Sequence, residues 1–268
     1  FLFRDRWTNS TGTVFGPYST GQWFGNQTET PYITYPSRLG NEEITYEKRK
    51  EISFGIDGLL MNQKILFELN YYNILRDGII TQLSNTTPYM AGISYTLPSY
   101  NNNMVRYQGF EAGIEYISKK GKFEYSFGGN ATINNSKYVK YDEPSYRFDY
   151  QRMTGKATDT YWGQTYLGKF KTDEEALLIP QIYDAVLKTG DLKYKDMNGD
   201  NTIDDNDQSA IGHTSPRLYY SLNLNLAYNN FEFSALGTGC AFFDIPLTNE
   251  YYWNGWGDDN YSIFVRDN

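Results

Sequence analysis

Cysteine and histidine are almost missing from this chain: among 268 residues, Cys240 and His213 each stand alone. A single cysteine excludes an internal disulfide framework. With one histidine as well, neither a transition-metal centre nor a Ser-His-Asp triad has support, even though Ser215 lies close to His213. Basic surplus is lacking too. The formal charge of −8 and the pI near 4.8 leave no electrostatic footprint for a phosphate backbone, so no nucleic-acid partner is expected. Mean hydropathy is −0.63, and no run of about 18 apolar residues occurs, which excludes membrane-spanning helices. The same lack does not exclude a membrane β-barrel, whose strands alternate faces and look only half apolar. The opening "FLFRDRW" has no Met, no basic region and no signal-like apolar core, so the chain reads as an excerpt from something longer.

Aromatic rings, in contrast, are abundant: 26 Tyr, 16 Phe and 5 Trp make up 18% of the chain. Period-two alternation identifies six strands. Near Lys50 to Leu60, the residues Ile52, Phe54, Ile56 and Leu60 share one face and Glu51, Ser53 and Asp57 the other. Ile65, Phe67, Leu69 and Tyr71 oppose Glu68, Asn70 and Tyr72 in the second. The third sets Phe110, Ala112, Ile114 and Tyr116 against Gln108, Glu111 and Glu115, and the fourth sets Phe123, Tyr125, Phe127, Ala131 and Ile133 against Glu124, Ser126, Asn130 and Thr132. Leu218 to Tyr228 is the clearest alternation, and after Asn229-Asn230 a sixth strand carries Phe231, Phe233 and Ala235.

Connections between these strands alternate strictly in length. Tight turns of two or three residues separate long connections over 77–103 and 138–215, with a long tail from 242. Soluble sandwiches rarely segregate their connections this way, whereas outer-membrane barrels have short periplasmic turns at one rim and long extracellular loops at the other. Tyr116, Phe123, Tyr228 and Phe231 flank the tight turns, where an interfacial girdle of rings would sit. The fold class expected is all-β: an antiparallel transmembrane β-barrel fragment with one short loop helix. "TDEE", Thr172 to Glu175, is a capping box for that helix, and Pro180 should limit it. Residues 1–268 read as part of a single barrel domain, without a plug domain or enough strands to close, so the remaining strands are expected outside this sequence.

"DMNGDNTIDDND", Asp196 to Asp207, has the spacing of a twelve-residue calcium loop. Such a loop wants oxygen ligands at positions 1, 3, 5, 7, 9 and 12; those places hold Asp196, Asn198, Asp200, Thr202, Asp204 and Asp207. Ile203 supplies an apolar anchor. Asn201 stands where Gly is usual, a mild departure because Asn tolerates a left-handed turn, and Asp207 is shorter than the usual Glu. We expect Ca²⁺ here in a structural role, stiffening a loop. An acidic surface loop that merely shares the spacing is the bland alternative.

From "GDLKYKDMNGDNTIDDNDQSAIG" through "SPRLYYSLNLNLAYNNFEFSA", the sequence resembles the late barrel region of the SusC/RagA family of TonB-dependent outer-membrane transporters. Upstream, "PSRLGNEEITYEKRKEISFGIDGLLMNQKILFELNYYNILRDGI" is similar to the family's L-x-N-P-x-L-x-W-E-K segment and the hairpin after it, with Glu42 in place of Pro and Tyr46 in place of Trp. The resemblance implies a barrel of about 22 strands with a plugged lumen. It further implies import of oligosaccharides or peptides across the bacterial outer membrane, energised through the TonB complex and assisted by a SusD-like surface lipoprotein acting as a lid.

All five tryptophans, Trp7, Trp23, Trp162, Trp253 and Trp256, fall outside the six strands. Tyr251, Tyr252, Trp253 and Trp256 in "YYWNGWGDDN", with Trp162, combine flat rings with carboxylates and amides, which suits stacking on sugars or gripping peptides. Packing of loop against loop, or against a lid, is the competing reading. No catalytic constellation is evident, since neighbours such as Glu174 and Glu175 point apart on a helix. A secreted calcium-dependent glycan-binding β-protein, with the tryptophans as its sugar platform, is the alternative function.

Overall fold

Alternation in the sequence becomes one antiparallel meander. The computed structural model describes residues 3–11, 32–88, 90, 96–178 and 186–247. A two-stranded ribbon, β1 (Arg6–Thr11) with β2 (Tyr32–Arg38), precedes four long strands: β3 (Lys48–Leu60), β4 (Ile65–Gln82), β5 (Ser99–Lys120) and β6 (Phe123–Lys140). The second long connection holds β7 (Thr160–Gln164), β8 (Tyr166–Lys169), helix α1 (Asp173–Leu177), β9 (Leu192–Tyr194) and β10 (Gln208–His213). Then β11 (Leu218–Tyr228) and β12 (Phe231–Ala241) rejoin the large sheet, whose spatial order is β12-β11-β6-β5-β4-β3.

Every tight turn uses left-handed backbone. Gly121 (φ 62°) opens the β5–β6 turn and Asn229 (φ 51°) the β11–β12 turn, both residue types that enter this region readily. Between β3 and β4 the turn is longer, with Met61, Asn62 and Gln63 all at positive φ and the Lys64 N–H donating to the Leu60 carbonyl at 3.1 Å.

Pairing register carries most of the alternating apolar residues onto one face, while Leu59, Leu66 and Ile117 fall on the other; Gln108, expected opposite Phe110, shares the apolar face with it because side chains two positions apart point the same way. Phe54 opposes Tyr71, Tyr71 opposes Phe110, Phe110 opposes Ile133 and Ile133 opposes Leu218. Two rows nearer the tight turns, Phe67, Ile114, Gly129 and Leu222 line up in the same way. This face is bare: Phe54 is 68% exposed, Ile56 64% and Leu222 64%. Among the described residues no second protein layer covers it. The buried residues lie instead between 97 and 209, at the long-connection end: Leu97, Val105, Phe170, Ala176 and Ile203 with the polar Ser99, Asn103, Asp142, Asp207 and Ser209.

Two expectations change. The first long connection is shorter than its 77–103 estimate, because β4 runs on to Gln82 and β5 begins at Ser99. Bulges between Arg76 and Ile80, with Gly78 at φ 68°, break the alternation there, and a bulge removes the period-two signal on which the estimate depended. The capping box also differs by one residue. The Thr172 hydroxyl accepts the Glu175 N–H at 3.2 Å, but the Glu175 carboxylate reaches back to the Lys171 N–H at 3.0 Å rather than to that of Thr172. Helix α1 ends at Leu177; Pro180 lies outside the described residues.

Candidate functional site

Three features make up the candidate site: the polar face that runs the length of the sheet and, in the second long connection, an acidic loop and a latch that ties the connection down. Polar-face residues come from the intervening positions of the same strands. Asp57 directly opposes Glu68, and Glu111 opposes Asn70, whose amide donates to Glu68 at 2.7 Å. Like charges facing each other across a pair are unfavourable unless solvated or countered, so this face belongs against water or a cationic surface. Towards the long connections the charges pair up, Arg49 with Glu51 at 2.6 Å and Arg76 with Glu47 at 2.7 Å.

Asp159, just before β7, forms the latch. Its carboxylate accepts the Ser215 N–H at 2.7 Å and the Arg217 guanidinium at 2.7 Å, with side-chain exposures of only 16% and 14% for Asp159 and Arg217. Burial pushes this carboxyl upward, but the Ser215 N–H, the Arg217 side chain and the Ser215 hydroxyl outweigh it and hold the pKa at about 2. Arg217 is itself fixed to the sheet, its N–H donating to the Ala241 carbonyl and its carbonyl accepting from Asn134. A second tie is Asp142, which accepts the Asn85 N–H at 3.0 Å and the Thr86 hydroxyl at 2.8 Å and so joins the two long connections. Neither tie was foreseen from the sequence, and no local signal marks them, because the partners are about 57 residues apart.

The acidic loop folds back on its own amides. Asp196 accepts from Gly199 at 2.6 Å and from Asn201 at 2.8 Å, Asn198 from Asp200 at 2.9 Å, and Asp200 from Thr202 at 2.9 Å. Desolvation would raise the Asp196 pKa, but the N–H groups of Asn201, Gly199, Asp200 and Asn198 lower it overall. Asn201 takes φ 63°, so an asparagine does fill the left-handed position where Gly is usual. Asp207 is 0% exposed, its two oxygens accepting the N–H groups of Met197 at 2.7 Å and Asp204 at 2.8 Å. Beside the loop, burial and the charges of Asp207, Asp196, Asp204 and Asp200 raise the Tyr150 hydroxyl pKa. In donor chemistry the loop suits a hard cation. Its carboxylates are turned onto amides, however, and among the described residues no three His, Cys, Asp or Glu side chains are arranged to hold a metal ion.

Trp162 is half-buried in β7, opposite Ala210 of β10, and its indole N–H points at the Met153 sulfur 3.0 Å away. Because β10 starts directly after Asp207, and Gln164 donates to the Asp204 carbonyl at 3.3 Å, this ring and the acidic loop belong to one folded unit. Tyr251, Tyr252, Trp253 and Trp256 lie outside the described residues.

The apolar face has the dimensions of a membrane belt. From Phe123 to Ile133 along β6 there are ten residue steps, roughly 34 Å at about 3.4 Å each; inclined by about 40° this gives a band roughly 26 Å tall, close to the belt of an outer-membrane barrel. Rings gather at its tight-turn margin, with Tyr116 to Phe127 at 5.5 Å and Phe123 to Tyr125 at 5.5 Å between centroids. Among the described residues no helix is long and apolar enough to cross a membrane.

No family model matches the chain. TonB-dependent receptor P26 of Formosa agariphila is 26% identical over 239 residues, covering 81% of this chain and 23% of the receptor. TonB-dependent receptor P3 of the same organism is 22% identical over 207 residues, 72% of this chain and 20% of the receptor. The chain resembles the TonB-dependent receptors. Its fold matches part of a chain of the RagAB peptide importer in the closed-closed state, with a TM-score of 0.60 at 12% identity over 91% of this chain and 25% of that one. The open-open state gives 0.58 at 15% identity. The likeness to the SusC/RagA family read from sequence motifs thus holds, in sequence to the TonB-dependent receptors and in fold to the RagAB importer, and the architecture is that of an all-β barrel segment. This receptor-like chain spans only about a quarter of the length of the proteins it matches.

Proposed function

We propose that the chain is part of the transmembrane barrel of a TonB-dependent importer in the bacterial outer membrane, taking up oligomeric nutrients, either peptides or oligosaccharides. One observation carries this reading: a meander with tight turns at one end, long folded connections at the other, and between them a bare apolar face about as tall as a barrel's belt. The polar face, with Asp57, Glu68 and Glu111, then borders a wet lumen, where water solvates charges that a dry core would penalise by several kcal/mol. On the same reading the plug and the remaining strands belong to the barrel beyond this sequence, and β3 and β12 pair with those strands, since open edges are untenable in lipid.

A SusD-like surface lipoprotein is the proposed partner over the long connections, and Trp162, Tyr251, Tyr252, Trp253 and Trp256 are the proposed cargo contacts. For the loop at Asp196, Asn198, Asp200, Thr202, Asp204 and Asp207 we propose structural Ca²⁺, supported by the all-oxygen side chains at the right spacing and by a fully buried Asp207 with no Lys or Arg in ion-pair reach among the described residues. Calorimetric titration should show Ca²⁺ uptake that disappears in the Asp196→Ala/Asp200→Ala double variant. Uptake unaffected by both changes would remove the loop from consideration.

The importer reading is tested by fractionation followed by uptake. The intact protein should sediment with outer membranes, run as a heat-modifiable barrel, and lose accumulation of labelled peptides or oligosaccharides when TonB coupling is removed. The rival, a secreted calcium-dependent glycan-binding protein, requires solubility without detergent, and recovery in the soluble fraction would decide for it. Cargo binding unchanged after replacing Trp162, Trp253 and Trp256 by Ala would assign those rings to packing.

A further inference from the structure

We infer that the lipid-facing surface carries a binding site for the phosphate group of an anionic lipid, built from Lys50, Arg106 and Lys137 at the long-connection margin. The inference rests on the barrel reading and extends it to a ligand. Register alone brings the three cations together: Lys50 opposes Leu75, Leu75 opposes Arg106, and Arg106 opposes Lys137, so they form one row with the parity of the apolar face. Going from the tight turns upward, this face shows rings and aliphatic residues as far as Phe54, Tyr71, Phe110 and Ile133. Next comes a mixed row, Ile52 with the amides Asn73, Gln108 and Asn135, and then the cations. Apolar, mixed and cationic rows follow one another in the order that hydrocarbon, interface and headgroup do.

Depth agrees with this order. Lys137 lies four residues beyond Ile133, roughly 10 Å higher at about 3.4 Å per residue and about 40° of tilt. The headgroup layer extends about 5–8 Å beyond the hydrocarbon on each side, so the backbone of the row sits just above it, and Lys and Arg stems can reach back down. At the opposite margin the face ends in Phe123, Tyr228 and Phe231, with Lys120 the cation paired beside them.

Charge in the row is under-compensated. Lys50 has Asp77 at 3.2 Å while remaining 64% exposed. Among the described residues, neither Arg106 nor Lys137 has a carboxylate in ion-pair reach, and the Arg106 Nε is buried without a hydrogen-bond partner. Two cations directly opposite each other on neighbouring strands repel, and adjacent strands lie about 4.8 Å apart. One phosphate, with several acceptor oxygens and more than one negative charge, can engage a guanidinium fork and a neighbouring ammonium together.

The test uses the intact protein in nanodiscs of phosphatidylcholine doped with phosphatidic acid, or with diacylglycerol of the same chains, and reads the lipids retained by native mass spectrometry. Phosphatidic acid should be retained in preference to diacylglycerol. With about fivefold in affinity per cation at the surface, the Lys50→Gln/Arg106→Gln/Lys137→Gln variant should weaken retention about a hundredfold. The charge-keeping Lys50→Arg/Arg106→Lys/Lys137→Arg variant should retain it, as should Arg49→Gln on the opposite face. Equal retention by the neutralised variant, or no preference for the phosphate-bearing lipid, overturns the proposal. Displacement by millimolar inorganic phosphate, with no lipid preference, would make it a free-anion site and likewise overturn it. If the protein does not enter nanodiscs as a heat-modifiable barrel, the barrel reading is what has failed.

Discussion

Asp159→Asn isolates how the second long connection is held to the sheet. The substitution keeps the size of the side chain and removes its charge, leaving Arg217, at 14% side-chain exposure, without its anion. A carboxyl pKa lowered from 3.8 to about 2 corresponds to roughly 2.5 kcal/mol of preferential interaction in the folded state, at about 1.4 kcal/mol per unit. That lies below the 3–5 kcal/mol typical of breaking a fully buried pair, as expected for a pair that retains some water. Opening of the latch should therefore become about 30- to 100-fold more frequent in the variant. Hydrogen exchange on the detergent-solubilised protein reads this directly at the Thr214 and Ser215 N–H groups, which donate to the Asp159 backbone and side chain. Because the folded pKa lies below the ordinary one, the stabilisation is fully present above about pH 4 and is lost as pH falls through 3.8 towards 2. Protection should thus be unaffected by this group between pH 5 and 8 in both proteins. Unchanged exchange at residues 214 and 215 in the variant would refute the assignment of Asp159 as the latch.

Three further perturbations address the two faces and the loops. Leu222→Arg, in the middle of the apolar band opposite Gly129, should destabilise the membrane-inserted protein by about 2–4 kcal/mol, whereas Ser221→Arg on the polar face should change it by about 0.5 kcal/mol or less; urea unfolding in lipid vesicles measures both, and equal effects would contradict the assignment of faces. Asp142→Ala leaves the Asn85 N–H and the Thr86 hydroxyl without their acceptor, a loss of about 1–3 kcal/mol that should appear as faster exchange at Asn85 with no change in the large sheet. Thr172→Ala removes the acceptor of the Glu175 N–H and should cost about 1 kcal/mol locally, seen as faster exchange at that amide alone.

Alternation along the chain was enough to read the six-strand pattern, the tight turns and, Gln108 excepted, which of the named strand residues share a face. Those depend on short-range rules: alternation of side chains, glycine or asparagine where φ must be positive, and apolar residues at every second position of a strand. The sequence by itself also determined the Thr172 cap and the left-handed Asn201, since both act within a few residues. Only the tertiary structure decided that β4 and β5 continue past the apolar band, that Asp159 meets Arg217 and Asp142 meets Asn85, and that Lys50, Arg106 and Lys137 share one row. The physical reason is distance along the chain. Bulges erase the period where β4 and β5 run past the apolar band, and contacts between side chains tens of residues apart follow from strand register, which no local pattern encodes.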